Sequence, residues 1–290
     1  MSPKSKNPKY EIAIVGAGTL ASALASAFHS NGYRISEIVS RSNPQSLRRA
    51  RILASATQSS ATTAQAAELS AGLVWICVPD DAIASVASQV VGERDWRGKI
   101  VVHSSGALSS DALEPLRRKG AEVASAHPLM TFVTSSQPKL AGVPFALEGT
   151  AKALTAVESI IGGFGAQAFR IAREEKAAYH AFGFFSSPAI VALVAAAIDV
   201  GKLAGLDAKR ARDLMEPIVR QTIDNCFRTS PQQAFSGPVR RGEIETIRKH
   251  LEVLHQQPDS LDLYRDLVKT ALRGLPSAKT EQIEALIKAR

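Results

Sequence analysis

The stretch Glu11 to Ser42, EIAIVGAGTLASALASAFHSNGYRISEIVSRS, decides the fold. An apolar run, Ile12 to Val15, leads directly into Gly16-Ala17-Gly18-Thr19-Leu20-Ala21 and then into an Ala-rich segment of helical character. The order is strand, Gly-rich turn, helix. Gly16 permits the tight turn, Gly18 lets the backbone approach a pyrophosphate, and Ala21 is small enough for close packing of helix on strand. The helix N-terminus adds unpaired N–H groups and the positive end of the helix dipole. A second strand, Ile35 to Ser40, follows Asn31-Gly32 and completes a dinucleotide-binding unit. Its expected contacts are Gly16, Ala17, Gly18, Thr19 and Leu20.

The second strand selects the dinucleotide. A site for NAD usually ends this strand in Asp or Glu, which accepts from the ribose 2′-OH. Here it ends Val39-Ser40-Arg41-Ser42, with Arg48 and Arg49 one helix further on. An Arg between two hydroxyls suits the 2′-phosphate of NADP through charge-assisted hydrogen bonds. Ser40, Arg41 and Ser42 are therefore expected cofactor contacts, and the cofactor is NADP. Glu37 lies too early in the strand to be a ribose ligand.

At 290 residues the chain can hold two ordinary domains. Its net charge of +8 comes without a basic-aromatic array or a recognition motif, so nucleic acid is not an expected partner. Attraction for small anions suffices as a reason for that charge. Cys77 and Cys226 are too far apart in sequence for metal-ligand spacing or a disulfide framework, which points to a reducing, cytoplasmic compartment and no metal. The first residues, MSPKSKNPK, read as a polar, disordered tail rather than a signal peptide. Ala181 to Ile198 is an uncharged run of 18 residues, at the lower limit for crossing a bilayer. Its Ser186-Ser187-Pro188 interruption and charged neighbours favour a helix buried within the protein or at a subunit interface, with no membrane.

Further strands are expected at Gly72 to Val78, Lys99 to His103, Glu122 to Ala126, Pro144 to Leu147 and Gln167 to Ile171, with a helix over Lys152 to Ile161. The pattern implies an α/β domain: a doubly wound, mostly parallel Rossmann sheet over residues 1–172. Val78 and Pro79 close one strand at the edge that faces the cofactor. From residue 173 to 290 the expected elements are all helical: Glu174 to Leu203, Asp207 to Phe227, Glu243 to Leu254, Ser260 to Leu272 and Thr280 to Ala289. This second region is assigned to substrate binding and dimerisation.

Polar residues at the C-terminal strand edges are candidates for chemistry. His103, Ser104 and Ser105 close one strand, and His127 closes another. Lys176 and His180 are four residues apart, so they share a helical face. A carbonyl or imine that accepts hydride develops negative charge or needs a proton, and a Lys or His can supply either. The Ser104-Ser105-Gly106 turn has donors suited to a carboxylate, and Arg241 in GPVRRG could clamp one bidentately. Each has a plainer reading: a solvated helix-start Lys, a hydrogen-bonded His and loop, and an Arg held in an ion pair.

HSSGALSS (103–110), SAHPLMTF (125–132), EEKAAYHAFG (174–183) and GPVRRGE (237–243) follow the Gly-rich turn in this order. With them the chain resembles the NADP-dependent oxidoreductases that pair a Rossmann-like domain with a C-terminal domain of unknown function, number 2520. The resemblance runs from about Glu11 to Leu272. More distantly, the architecture is similar to pyrroline-5-carboxylate reductase and the beta-hydroxyacid dehydrogenases, whose helical domains dimerise. The resemblance implies a cleft lined by His103, Ser105, His127, Lys176, His180 and Arg241. In beta-hydroxyacid dehydrogenases a Lys at the start of the long helix acts with an Asn four residues later; Lys176 fits, but His180 stands in the Asn position.

The expected activity is hydride transfer between NADPH and a small, carboxylate-bearing carbonyl or imine compound. Lys176 or His180 would donate the proton, His103, Ser104, Ser105, His127 and Arg241 would bind substrate, and the protein would be a homodimer. The alternative is a non-catalytic NADP-binding sensor.

Overall fold

A computed structural model describes residues 10–133 and 139–288; the tail read at residues 1–9 and the last residue of the expected C-terminal helix lie outside them. The chain divides into two compact units between Ser187 and Pro188.

The first unit is built on strands β1 (Ile12–Val15), β2 (Ile35–Ser40), β3 (Ser60–Thr63), β4 (Leu73–Ile76), β5 (Ile100–His103), β6 (Glu122–Pro128), β7 (Pro144–Gly149) and β8 (Gln167–Arg170). They form one sheet in the order β3-β2-β1-β4-β5-β6-β7-β8. The helices are α1 (Thr19–Ser30), α2 (Pro44–Ala56), α3 (Asp80–Val91), α4 (Glu114–Arg118), α5 (Ala151–Gly163) and α6 (Lys176–Ser186). All strand pairs are parallel except β6 with β7. A parallel return needs a crossover, usually a helix, and no helix is described between β6 and β7.

The alternation of β1 explains the two layers. Ile12 and Ile14 face Leu24 and Phe28 of α1 and Val157 and Ile161 of α5, whereas Ala13 and Val15 face Ile83, Ala87 and Val90 of α3. A strand covered on both faces is apolar throughout, as parallel sheets require. β2 departs from this with Ser36, Glu37 and Ser40, and of these Glu37 carries the charge: it is buried and accepts from the backbone N–H groups of Glu68 (3.3 Å) and Leu69 (2.6 Å). Its carboxylate thus holds the loop before β4, in keeping with its exclusion as a ribose ligand.

The second unit contains α7 (Pro188–Leu203), α8 (Ala208–Arg228), two single-turn helices α9 (Pro231–Ala234) and α10 (Pro238–Arg241), then α11 (Ile244–Leu254), α12 (Pro258–Gly274) and α13 (Thr280–Lys288). Its core comes from the last three: Ile247, Leu251, Leu254, Leu261, Val268, Ile283 and Ile287. Of the two expectations for the long apolar helix, burial within the chain is not found, since α7 buries no residue and α8 buries Ala211 alone, which leaves the expectation of a subunit interface. Nor is that helix continuous. The run 173–203 is apolar enough for a membrane span. Ser187, however, adopts φ −142° and ψ −72°, as the residue before a proline avoids helical geometry, and leaves helices of 11 and 16 residues. Taken together, 31 residues with a single break, the run still reaches by length and composition the roughly 20 residues that cross a bilayer.

Gly149 ends β7 at φ +148°, and a Cβ there would stand 2.3 Å from the Val123 carbonyl oxygen and 2.6 Å from the Ala124 Cα. Backbone cannot yield as a side-chain tip can. Gly149→Ala is predicted to cost about 2–4 kcal/mol of unfolding free energy, measured by urea denaturation; an unchanged midpoint would contradict this packing.

Candidate active site

The Gly-rich turn behaves as the sequence requires. Gly16 sits at φ +123°, and a Cβ would lie 2.1 Å from the Cys77 carbonyl oxygen, so no other residue fits between β1 and β4. Around Gly18, by contrast, a Cβ would meet nothing within 4 Å, leaving room for a ligand at the start of α1. A pocket of about 750 Å3 opens there, lined by Gly16, Ala17, Gly18, Ser40, Arg41, Ser42, Asn43, Ser46, Arg49, Val78 and Pro79 among others. Arg41 and Arg49 are exposed. Ser46 is buried and its hydroxyl has no partner among the described residues, an orphan polar atom on a residue that lines the same pocket as Arg41 and Arg49. Donors and cations at one end and a glycine cradle at the other fit a phosphorylated dinucleotide. Thr19 and Leu20, also expected to touch cofactor, open α1 but do not line this pocket.

At the ends of β5 and β6, most of the expected substrate ligands turn out to be occupied. His103 is fully buried, its Nδ1 accepts from the Ser105 N–H (3.1 Å), and its Nε2–H therefore donates to the Ser109 carbonyl (3.0 Å). Burial, with the Lys176 charge adding to it and the Ser109 carbonyl opposing, brings His103 down to about 4. Ser104 Oγ accepts from the Trp75 indole N–H at 2.7 Å. Ser105 Oγ donates to Asp80 Oδ2 (2.6 Å) and accepts from the backbone of Ala107 (3.2 Å) and Leu108 (2.9 Å). These three side chains build the loop. Arg241, in the second unit, is paired with Glu243 at 2.6 Å.

Lys176 is also committed. It is 1% exposed, and its Nζ donates to Ser125 Oγ (2.7 Å) and to the Ser105 carbonyl (3.2 Å). Burial lowers its pKa, against the charges of Glu148 and Asp80. These bonds tie the first residue of α6 to the loop after β5 and to the middle of β6. They explain why α6 belongs to the sheet unit, whereas the sequence suggested a boundary after residue 172.

One turn of α6 further on, Tyr179 Oη lies 2.9 Å from His127 Nδ1. The His127 and His180 rings stand edge to face, 6.1 Å apart, over Gly106. A Cβ on Gly106 would come within 2.8 Å of His180 Cδ2 and 3.0 Å of His127 Nε2. The missing side chain therefore lets both rings close on the loop. Burial, then the charges of Lys176 and His180, bring His127 down to about 4, and burial pushes Tyr179 up to about 12. Tyr179, Ser125 and Asp80 were not singled out in the sequence, and Gly106 was named only as part of the Ser104-Ser105-Gly106 turn. Only Tyr179 carried a signal, lying three residues after Lys176 and so on its helical face.

Residues 2–128 match the family model of a Rossmann-like domain, and residues 143–271 match a domain of unknown function (DUF2520). The chain thus carries a Rossmann-like domain followed by a DUF2520 domain. No curated protein matches it. Among the solved structures to which the chain is similar, three match over most of their length. BF3122 from Bacteroides fragilis, named provisionally as an NADP oxidoreductase, is 24% identical, with a TM-score of 0.76 over 91% of this chain and 98% of that one. Protein TM1727 from Thermotoga maritima is 27% identical, with a TM-score of 0.70 over 89% and 96%. A reductive aminase from Aspergillus terreus, in complex with NADPH and ethyl-5-oxohexanoate, is 17% identical, with a TM-score of 0.65 over 95% and 98%.

Two rings held neutral by burial set a pH dependence. Between pH 6.5 and about 4 the unfolded chain binds protons that folded His103 and His127 refuse. Stability is therefore fully present above pH 6.5 and falls as pH drops through that window, by roughly 3 kcal/mol for fully buried His103. Urea midpoints measured across the window should decline toward acid; a flat profile would contradict neutral burial of these rings.

Proposed function

We propose that the protein is an NADP-dependent oxidoreductase that passes hydride between NADPH and a small carbonyl or imine compound. The observation that carries this reading is the pairing, within one unit, of a glycine-lined pocket bounded by Arg41 and Arg49 with the His127–His180 pair at the same sheet edge. Strand spacing of ~4.8 Å puts the end of β6 roughly 10 Å from that of β4, along the edge where such cofactors lie. The NADPH complex of the Aspergillus reductive aminase, a protein of similar fold, supports the same cofactor.

Arg41, Ser42, Arg49 and Ser46 would hold the 2′-phosphate, and the turn at Gly16 and Gly18 the pyrophosphate. Bound there, NADPH supplies the hydride. His180, exposed and free of hydrogen bonds among the described residues, would donate the proton. Lys176, sealed away from solvent, is a positioning residue. Ser105 Oγ is already engaged by Asp80 and the loop backbone, whereas Arg241 shares only its Nε with Glu243 and keeps an exposed guanidinium edge that would suit a carboxylate. The apolar side chains left exposed on α7 and α8, such as Val191, Leu214, Ile218 and Phe227, fit a homodimer. Two free cysteines fit the reducing cytoplasm.

Titration with NADPH and NADH, followed by an NADPH-oxidation screen over small ketones, 2-oxo acids and cyclic imines, tests the reading. Arg41→Ala should weaken NADPH binding roughly tenfold to a hundredfold and leave NADH affinity unchanged. His180→Ala should abolish most turnover with NADPH affinity retained. Tight NADPH binding with no turnover of any compound would replace the enzyme reading with that of a sensor.

A further inference from the structure

We propose that Tyr179 fixes His127 as an Nε2–H donor, so that the site takes the hydrogen-bond-accepting oxygen of a carbonyl compound in preference to a protonated iminium. This rests on the reductase reading above.

One proton lies between Tyr179 Oη and His127 Nδ1, and it can belong to either. If Nδ1–H donated to Oη, the half-buried phenol would need a second acceptor for its own hydrogen, and Tyr179 makes no other hydrogen bond among the described residues. If the phenol donates to Nδ1, both atoms are satisfied by one bond. Phe169, packed 6.0 Å from Tyr179 ring to ring, is an apolar neighbour that offers no acceptor. The doubly protonated ring is opposed by burial and by the charges of Lys176 and His180; Asp80 alone favours it. Neutral His127 then carries its hydrogen on Nε2, the nitrogen at the Gly106 side, which makes no hydrogen bond among the described residues.

A neutral imidazole N–H is an electrophile and a poor proton donor, since losing its hydrogen would leave an imidazolate. Its part is to meet charge. As the carbonyl carbon takes up the hydride that bound NADPH would supply in becoming NADP+, the C=O π pair moves onto oxygen, the Nε2–H group bonds that oxygen, and His180 gives it a proton. The alcohol leaves, and His180 regains that proton from hydronium or buffer in solvent. A protonated iminium nitrogen has no lone pair and presents its own N–H, so donor would face donor. Tyr179 acts through His127 and is a positioning residue.

The test reads the ring tautomer directly. Two-bond proton–nitrogen spectra of the protein labelled with 15N-histidine, with His127 assigned through His127→Gln, should show protonated Nε2 and bare Nδ1 from about pH 6 to about pH 9. Tyr179→Phe keeps the ring packing and should convert His127 to a mixture of tautomers. With NADPH, the wild type should reduce cyclohexanone faster than 1-pyrroline, and Tyr179→Phe should lower kcat for the ketone roughly tenfold at unchanged NADPH KM. A wild-type Nδ1–H tautomer, or a tautomer unmoved in Tyr179→Phe, overturns the pairing. Faster reduction of 1-pyrroline overturns the substrate preference. Turnover of neither compound overturns that preference together with the reductase reading, while the spectra still decide the pairing.

Discussion

The hydrogen bonds of one buried ammonium group hold the site together. Lys176 Nζ reaches the Ser105 carbonyl on the loop after β5 and the Ser125 hydroxyl inside β6, and Ser125 Oγ itself donates to the same Ser105 carbonyl at 3.0 Å. Burying such a group is expensive, and its lowered pKa expresses that cost. What it secures is register. With the first residue of α6 bound to the loop after β5 and to the middle of β6, Tyr179 and His180 arrive one turn later opposite His127. Glu148 supports the same corner from β7 by accepting from Ser110 N–H and Oγ at 2.6 and 2.8 Å.

The cofactor pocket depends on a different constraint, the absence of atoms. Gly16 has no space for a side chain because the β4 backbone is already there. Gly18 has space that the protein leaves empty. Gly106 repeats the first case at the other end of the site, where two imidazole rings occupy the volume of a side chain. Three glycines thus set where backbone, cofactor and ring can each approach, and the parallel sheet keeps all of them on one edge.

The parts of this arrangement that rest on local chemistry were legible in the sequence. Gly16 to Ala21 after an apolar run, and Arg41 where an acid is usual, can be read without knowing the fold, because each concerns residues within one turn or strand. Seven of the eight strands were foreshadowed by runs of strand character, the exception being β3, whose Ser-Ala-Thr-Thr carries no apolar run, and the Ser186-Ser187-Pro188 break in the long helix was foreshadowed by the proline alone. What the sequence could not reveal is direction. His103, Ser104 and Ser105 stand at a strand edge where substrate ligands are usual, but their hydrogen bonds run to Ser109, Trp75 and Asp80. That outcome depends on residues up to 29 positions away in sequence. Lys176 was likewise chosen by residue type and helix position, and only tertiary packing shows that it is sealed. Tyr179 escaped notice because a tyrosine within an apolar helix reads as core.

The central claim is that the pocket at the Gly-rich turn and the histidine pair over Gly106 belong to one reacting site. A crystal structure of the protein with NADP bound tests it most directly. The 2′-phosphate should lie against Arg41 and Ser42, and the nicotinamide ring should face the gap between His127 Nε2 and His180. A nicotinamide directed away from that pair, with the histidines shut off from it, would contradict the claim.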